Sequence, residues 1–194
     1  MTDETATLGF RRKRLFVDVQ NRGFHVGLLG AIFLPRQLYN WNADLSLVPG
    51  VNEPDLLTEV DVIDLGRAQI LEVPGELDPC LFVGGYDGSW TPAGVTILDP
   101  GNTNSPDLAR APGPPYLRDL ARPDAEYVLL FGLSNDYLGY FVPAYYFELD
   151  PISPYIDEAP GDHYEETRAV GIDGWPRIED NLRALLAWTP SATR

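Results

Sequence analysis

The stretch Tyr127-Val128-Leu129-Leu130-Phe131-Gly132-Leu133-Ser134-Asn135-Asp136-Tyr137-Leu138-Gly139-Tyr140-Phe141-Val142 decides how the chain is read. Its first five residues are an apolar run of strand length, and Tyr140-Phe141-Val142 is a second. Small and polar residues separate them: Gly132, Ser134, Asn135, Asp136 and Gly139. This predicts a buried strand that ends in a polar turn and resumes as an extended segment. Side chains at such a strand end sit on a rigid support and still face a cleft, where binding chemistry is commonly built. The same residues also suit an ordinary turn in which Asn and Asp make local hydrogen bonds.

Working outward, two further β-type runs lie upstream, Thr58 to Ile63 and Ala68 to Val73, on either side of Asp64-Leu65-Gly66-Arg67. That pattern predicts a hairpin. The second run leads into Pro74-Gly75-Glu76, and Pro79 to Gly84 suits a short helix stopped by Gly84-Gly85. Earlier still, Leu15 to Val19 reads as a strand. Asn21 suits the cap of a mostly buried helix over Phe24 to about Leu34, with Pro35 at its end. Residues 36–57 and 86–125 carry loop markers. The second stretch, rich in Pro, Gly, Asn and Asp, predicts an irregular excursion between core strands. At the other end, Asp173 suits an N-cap and Pro176 a first helical turn. Ile178, Leu182, Leu185 and Leu186 form one apolar face. The fold class expected is α/β, a mixed sheet packed by helices. It makes one domain over 12–188, between a flexible terminus at 1–11 and a tail at 189–194.

Composition bounds the function. The 194 residues suffice for one sizeable core, and 44% hydrophobic with 22% charged residues is the balance of a globular protein. A formal net charge of −15 argues against nucleic acid, since no basic patch can neutralise phosphates, and disfavours anionic lipid. Arg11, Arg12, Lys13 and Arg14 are a solvated cluster with no apolar segment after them to make a targeting signal. Cys80 is the single cysteine and cannot form an intrachain disulfide. No apolar run reaches the length of a membrane span.

Three clusters hold groups capable of chemistry: Pro74-Gly75-Glu76, Asn135-Asp136-Tyr137, and Asp162 to Glu166, which contains His163, Tyr164 and Glu165. A carboxylate at the end of a buried strand is costly unless paired, hydrogen-bonded or metal-bound. A Tyr beside an Asp can anchor a hydrogen bond or, with its pKa lowered by a cation, act as a ligand. His25 and His163 are the only imidazoles, fewer nitrogen ligands than zinc sites usually take. No Gly-x-Ser-x-Gly elbow marks Ser134 as a nucleophile. The residue types alone do not assemble a catalytic centre.

The order of these motifs, however, resembles a family. Thr58-Glu59-Val60 begins a strand pair that ends in Val73-Pro74-Gly75-Glu76. Gly132-Leu133-Ser134-Asn135-x-Tyr137-x-x-Tyr140 follows, then His163-Tyr164-Glu165 and a closing amphipathic helix. Over about residues 12–188 this is similar to the later part of the catalytic domain of neutral/alkaline (non-lysosomal) ceramidases and their bacterial ceramidase-like relatives. The resemblance implies a layered α/β fold and zinc-dependent hydrolysis of the N-acyl amide bond of a ceramide-like lipid. It implies that Glu76 and Tyr137 are metal ligands. Asn135, Tyr140, His163 and Glu165 would orient the site around them. The remaining ligands, two histidines, belong to the earlier part of the family's domain, and neither His25 nor His163 corresponds to them. The chain therefore reads as a C-terminal part with an incomplete Zn2+ site, inactive alone, whose implied partner is a separate N-terminal half. The family is exported or membrane-associated. The alternative is a stand-alone binding or structural domain derived from the same fold.

Overall fold

The computed structural model describes residues 8–29, 36–41, 53–84, 94–95, 101 and 108–189. A four-stranded mixed sheet is built from β1 (Leu8–Asp18), β2 (Asp55–Leu65), β3 (Ala68–Glu72) and β5 (Tyr127–Phe131), in the order β1-β2-β3-β5. The first two pairings are antiparallel and β3–β5 is parallel. A second, two-stranded parallel sheet pairs β4 (Glu76–Leu77) with β6 (Tyr140–Phe141). The helices are α1 (Arg22–Leu29), α2 (Pro79–Val83), α3 (Tyr164–Thr167) and α4 (Gly174–Ala187). The α/β expectation holds at this level.

The hairpin forms as its turn chemistry predicts. Leu65 pairs with Ala68, leaving Gly66-Arg67 as a two-residue turn, and Gly66 takes the positive φ (54°) that such a turn needs. Strand alternation then sorts the faces. Leu15 and Val17 of β1, Leu56, Val60 and Val62 of β2, and Leu71 of β3 point to one side. There they meet Trp175, Ile178, Leu182 and Leu185 of α4, which crosses β1 and β2. The i, i+3, i+7, i+10 spacing of those four residues supplies a continuous apolar stripe. Arg11 reaches the other end of α4 and donates to the Leu185 carbonyl at 3.0 Å, satisfying an acceptor in the last turn.

Three expectations need adjustment. β1 starts at Leu8, so residues 8–11 are paired strand rather than flexible terminus. Asp173 precedes α4 but makes no capping bond. Its carboxylate accepts instead from Gln20 at 2.7 Å, because Gln20 approaches it across the fold. The helix expected over 24–34 is described as far as Leu29, and residues 30–35 lie outside the described set, as do 86–93, 96–100 and 102–107 of the 86–125 stretch. In that stretch, Leu108–Arg110 and Leu117–Leu120 form 3-10 turns, and Leu117 is fully buried. Among the described residues no helix is long and apolar enough to cross a membrane.

Candidate functional site

β3 and β5 run parallel with Glu72 opposite Phe131, so their carboxyl ends reach one sheet edge together. Beyond that edge the chain after β3 changes partners. Val73 donates to the Phe131 carbonyl (3.0 Å), and Leu133 and Ser134 donate back to Gly75 and Val73 (both 3.0 Å). Leu138 then donates to Pro74 at 2.7 Å, Glu76 to Gly139 at 2.9 Å, and Asp78 to Phe141 at 3.1 Å. Pro-Gly-Glu is thus held between the two arms of the 132–140 loop. Gly75 is required by contact: a Cβ there would lie 2.5 Å from the Gly139 carbonyl oxygen and 2.8 Å from the Phe141 ring. Gly139 is required twice over, by a φ of 84° and because a Cβ would collide with the Arg168 carbonyl oxygen.

The β4–β6 register places Glu76 beside Tyr140 and Leu77 beside Phe141. Phe141 is buried and Leu77 packs on the core, so Glu76 and Tyr140 occupy the opposite face. On the other flank of β6, Ala169 bridges to Gly139 and Tyr140, and α3 lies against the strand. That contact sets the Tyr164 ring edge-on to Tyr140, centroids 5.8 Å apart. Burial, above all, pushes the Tyr140 phenol up to about 12. A hydrogen bond with Tyr164 and then the negative charges of Glu76, Tyr164 and Tyr137 act in the same direction. Glu76, Tyr137 and Tyr164 thus all act on the Tyr140 phenol. Tyr137 itself is 61% exposed. It lines a pocket of about 100 Å³ with Phe24, Leu28, Arg36, Leu56, Leu138 and Gly139.

Two clasps hold the loop that carries Tyr137. Asn135, in the left-handed region (φ 66°), donates to Asp61 at 2.9 Å. Asp61 is fully buried and also receives a two-bond fork from Arg12, at 2.9 and 2.8 Å. Asp136 accepts from Arg36 through both oxygens, from Thr58 Oγ1 at 2.8 Å and from the Tyr137 amide at 2.8 Å. Both partners on β2, Asp61 and Thr58, lie far upstream in sequence, which is why local reading did not find them.

The histidines are otherwise engaged. His25 is buried in α1 with Nε2 on the Val19 carbonyl. His163 is also buried. Its Nδ1 lies 2.8 Å from Glu166 Oε1 and its Nε2 lies 3.2 Å from Glu148 Oε2. Within His163-Tyr164-Glu165 the imidazole thus engages Glu166, the next residue on, rather than Glu165, because the i, i+3 spacing at the start of α3 brings Glu166 under the ring. Glu165 instead faces Asp78 and Tyr146, adding to the burial that raises both. Glu148 is the polar neighbour that the motifs did not include, while Tyr164 and Glu166 stood in the Asp162 to Glu166 cluster with no role assigned.

No family model, curated protein or solved structure matches the chain.

The donor set bears directly on zinc. Glu76 and Tyr137 both act on the Tyr140 phenol, but Glu76 does not line the pocket beside Tyr137, and both described imidazoles are committed to other partners. A catalytic zinc takes three protein ligands. Among the described residues no group of three or more His, Cys, Asp or Glu side chains is placed to hold a metal. By themselves, then, these residues do not fit a complete zinc centre.

Proposed function

We propose that this chain supplies part of the active site of a zinc-dependent amidohydrolase resembling neutral ceramidase. Glu76 and Tyr137 would be two of the ligands and the imidazole ligands would come from another polypeptide segment. The observation that carries the reading is the parallel pairing of β4 with β6, which brings Pro-Gly-Glu against the Asn-x-Tyr loop across sixty residues of sequence. Bound zinc would polarise an amide carbonyl and activate water. The chain's own part would be to present Glu76 from β4 and Tyr137 from the loop that leads into β6, with Tyr140 beside Glu76. The clasps from Asn135 to Asp61 and from Asp136 to Arg36 and Thr58 hold the Tyr137 loop to β2. The layered ceramidase-like fold, the lipid substrate and an exported or membrane-associated setting belong to the same proposal.

The pocket beside Tyr137 favours the second reading, a binding domain without catalysis. Its walls are apolar, and about 100 Å³ is well below the roughly 300–1,000 Å³ of self-contained ligand sites. It would take a short apolar group rather than a full acyl chain. Reconstitution with a polypeptide that carries the family's histidine motif separates the two readings. The amidohydrolase reading predicts zinc retained through a chelator wash and hydrolysis of an N-acyl sphingoid base, both abolished by Glu76→Gln. Activity that survives this substitution shows the carboxylate to be structural.

A further inference from the structure

One side of the four-stranded sheet faces α4; the other carries an apolar surface. Strand register aligns Phe10, Ile63, Ile70 and Leu129 in one row across all four strands. Leu8, Leu65, Ala68 and Tyr127 form the next row. The exposed members of these rows, together with Phe131, are between 41% and 72% exposed. They carry roughly 600 Å² of accessible area, and the half-buried isoleucines bring the face toward the ~800 Å² per partner of a stable interface. A contiguous patch of that size is at or beyond the upper end for a monomer.

We propose that this face is the contact surface of a two-fold symmetric dimer of the chain, with the two sheets packed face to face. The charges around the patch identify the occupant. The protein carries a net −15, yet the rim of this face is nearly balanced and paired within the chain. Arg67 pairs with Glu126, and Arg14 lies 3.4 Å from Glu59. Arg12 bonds Asp61 and Glu59 at 2.8 and 2.9 Å. A second copy thus brings apolar rows against apolar rows and buries no unpaired charge, despite the repulsion between two acidic molecules. With the axis between the Phe10 row and the Leu8 row, near Ile63 and Leu65, the polar row Arg12–Asp61–Glu72 falls at both ends of the contact, as a rim. Two sheets so packed lie about 10 Å apart with strands inclined by about 30°. An anionic lipid surface is a poorer occupant, because the molecule's overall charge opposes it.

Sedimentation equilibrium of the intact chain from about 1 to about 100 μM tests this. Twice 21.5 kDa, about 43 kDa, is expected at the upper end. Phe10→Thr and Leu129→Thr each keep strand propensity and are expected to weaken the dimer roughly tenfold or more with an unchanged circular dichroism spectrum. Should either variant fold poorly, hydroxyl-radical labelling of the wild type gives the same readout. Phe10 and Tyr127 should be protected as concentration rises. A mass of 21.5 kDa throughout overturns the proposal. So does dimerisation indifferent to both variants, or labelling that does not change with concentration. Binding of a monomer to phosphatidylcholine vesicles, lost in the same variants, overturns it in favour of a lipid surface.

Discussion

Asp136 is the one carboxylate of the central loop, and both its oxygens are engaged. Both oxygens are held by Arg36, one also by Thr58 and the other by the amide of Tyr137. The side chains of this pair are 27% and 17% exposed, so water screens the contact only in part. Asp136→Ala leaves Arg36 without its counter-charge and is expected to cost about 2 kcal/mol, a fall of roughly 4–8 °C in Tm for a chain of this size. Calorimetry checks it, and an unchanged Tm would show the clasp to be dispensable. In the sequence this residue reads as a turn former beside a candidate ligand. Nothing local to Asn135-Asp136-Tyr137 points to Arg36, a hundred residues away. Glu76 and Tyr137 were singled out by the family resemblance; the local pattern offers only a carboxylate after the β3 run and a Tyr in a polar turn. The commitment of His163 to Glu148 and Glu166 was not legible, because it depends on how α3 meets a segment without regular structure.

At the scale of elements, the strands were the most readable part. Period-two alternation and a Gly-containing turn define β2 and β3, and an uncharged apolar run defines β5. The parallel pairing of β3 with β5 comes from packing and lies beyond local pattern. The far end of the β1–β2 ladder holds a feature visible only once the register is known: Asp18 sits opposite Asp55. A hydrogen bond with Asp55, then burial and the Asp55 charge, push the Asp18 carboxyl up from 3.8 to about 6, against a smaller opposing effect of Arg177. The folded state therefore holds this proton more tightly than the unfolded state does. Between about pH 4 and pH 6 the native chain binds more protons, so this pair's stabilisation is present at the acid end and is lost as pH rises. Asp18→Asn should flatten that part of the pH dependence and raise stability at pH 7 relative to the wild type. Urea midpoints at pH 4.5 and pH 7 for both proteins measure the difference. A wild-type-minus-variant difference that grows toward pH 7 in favour of the wild type would contradict the pairing.

At the scale of the whole molecule, the two proposals each concern one surface. The outer sheet face exposes aligned apolar rows, and the β4–β6 edge presents a carboxylate and three phenols with no imidazole among them. The strongly acidic composition gives zinc many weak places to bind, so total binding says little and the contrast between variants decides. The proposed zinc site requires Glu76 and Tyr137 to act on one cation. It is tested most directly by competing the intact chain against a chromophoric zinc chelator, alongside Glu76→Gln and Tyr137→Phe. If both oxygens touch the metal, each substitution should weaken the tightest zinc site by roughly tenfold or more, and the double variant should be little worse than either single one. Zinc affinities indistinguishable among wild type and all three variants would contradict the claim and leave a resemblance of fold alone.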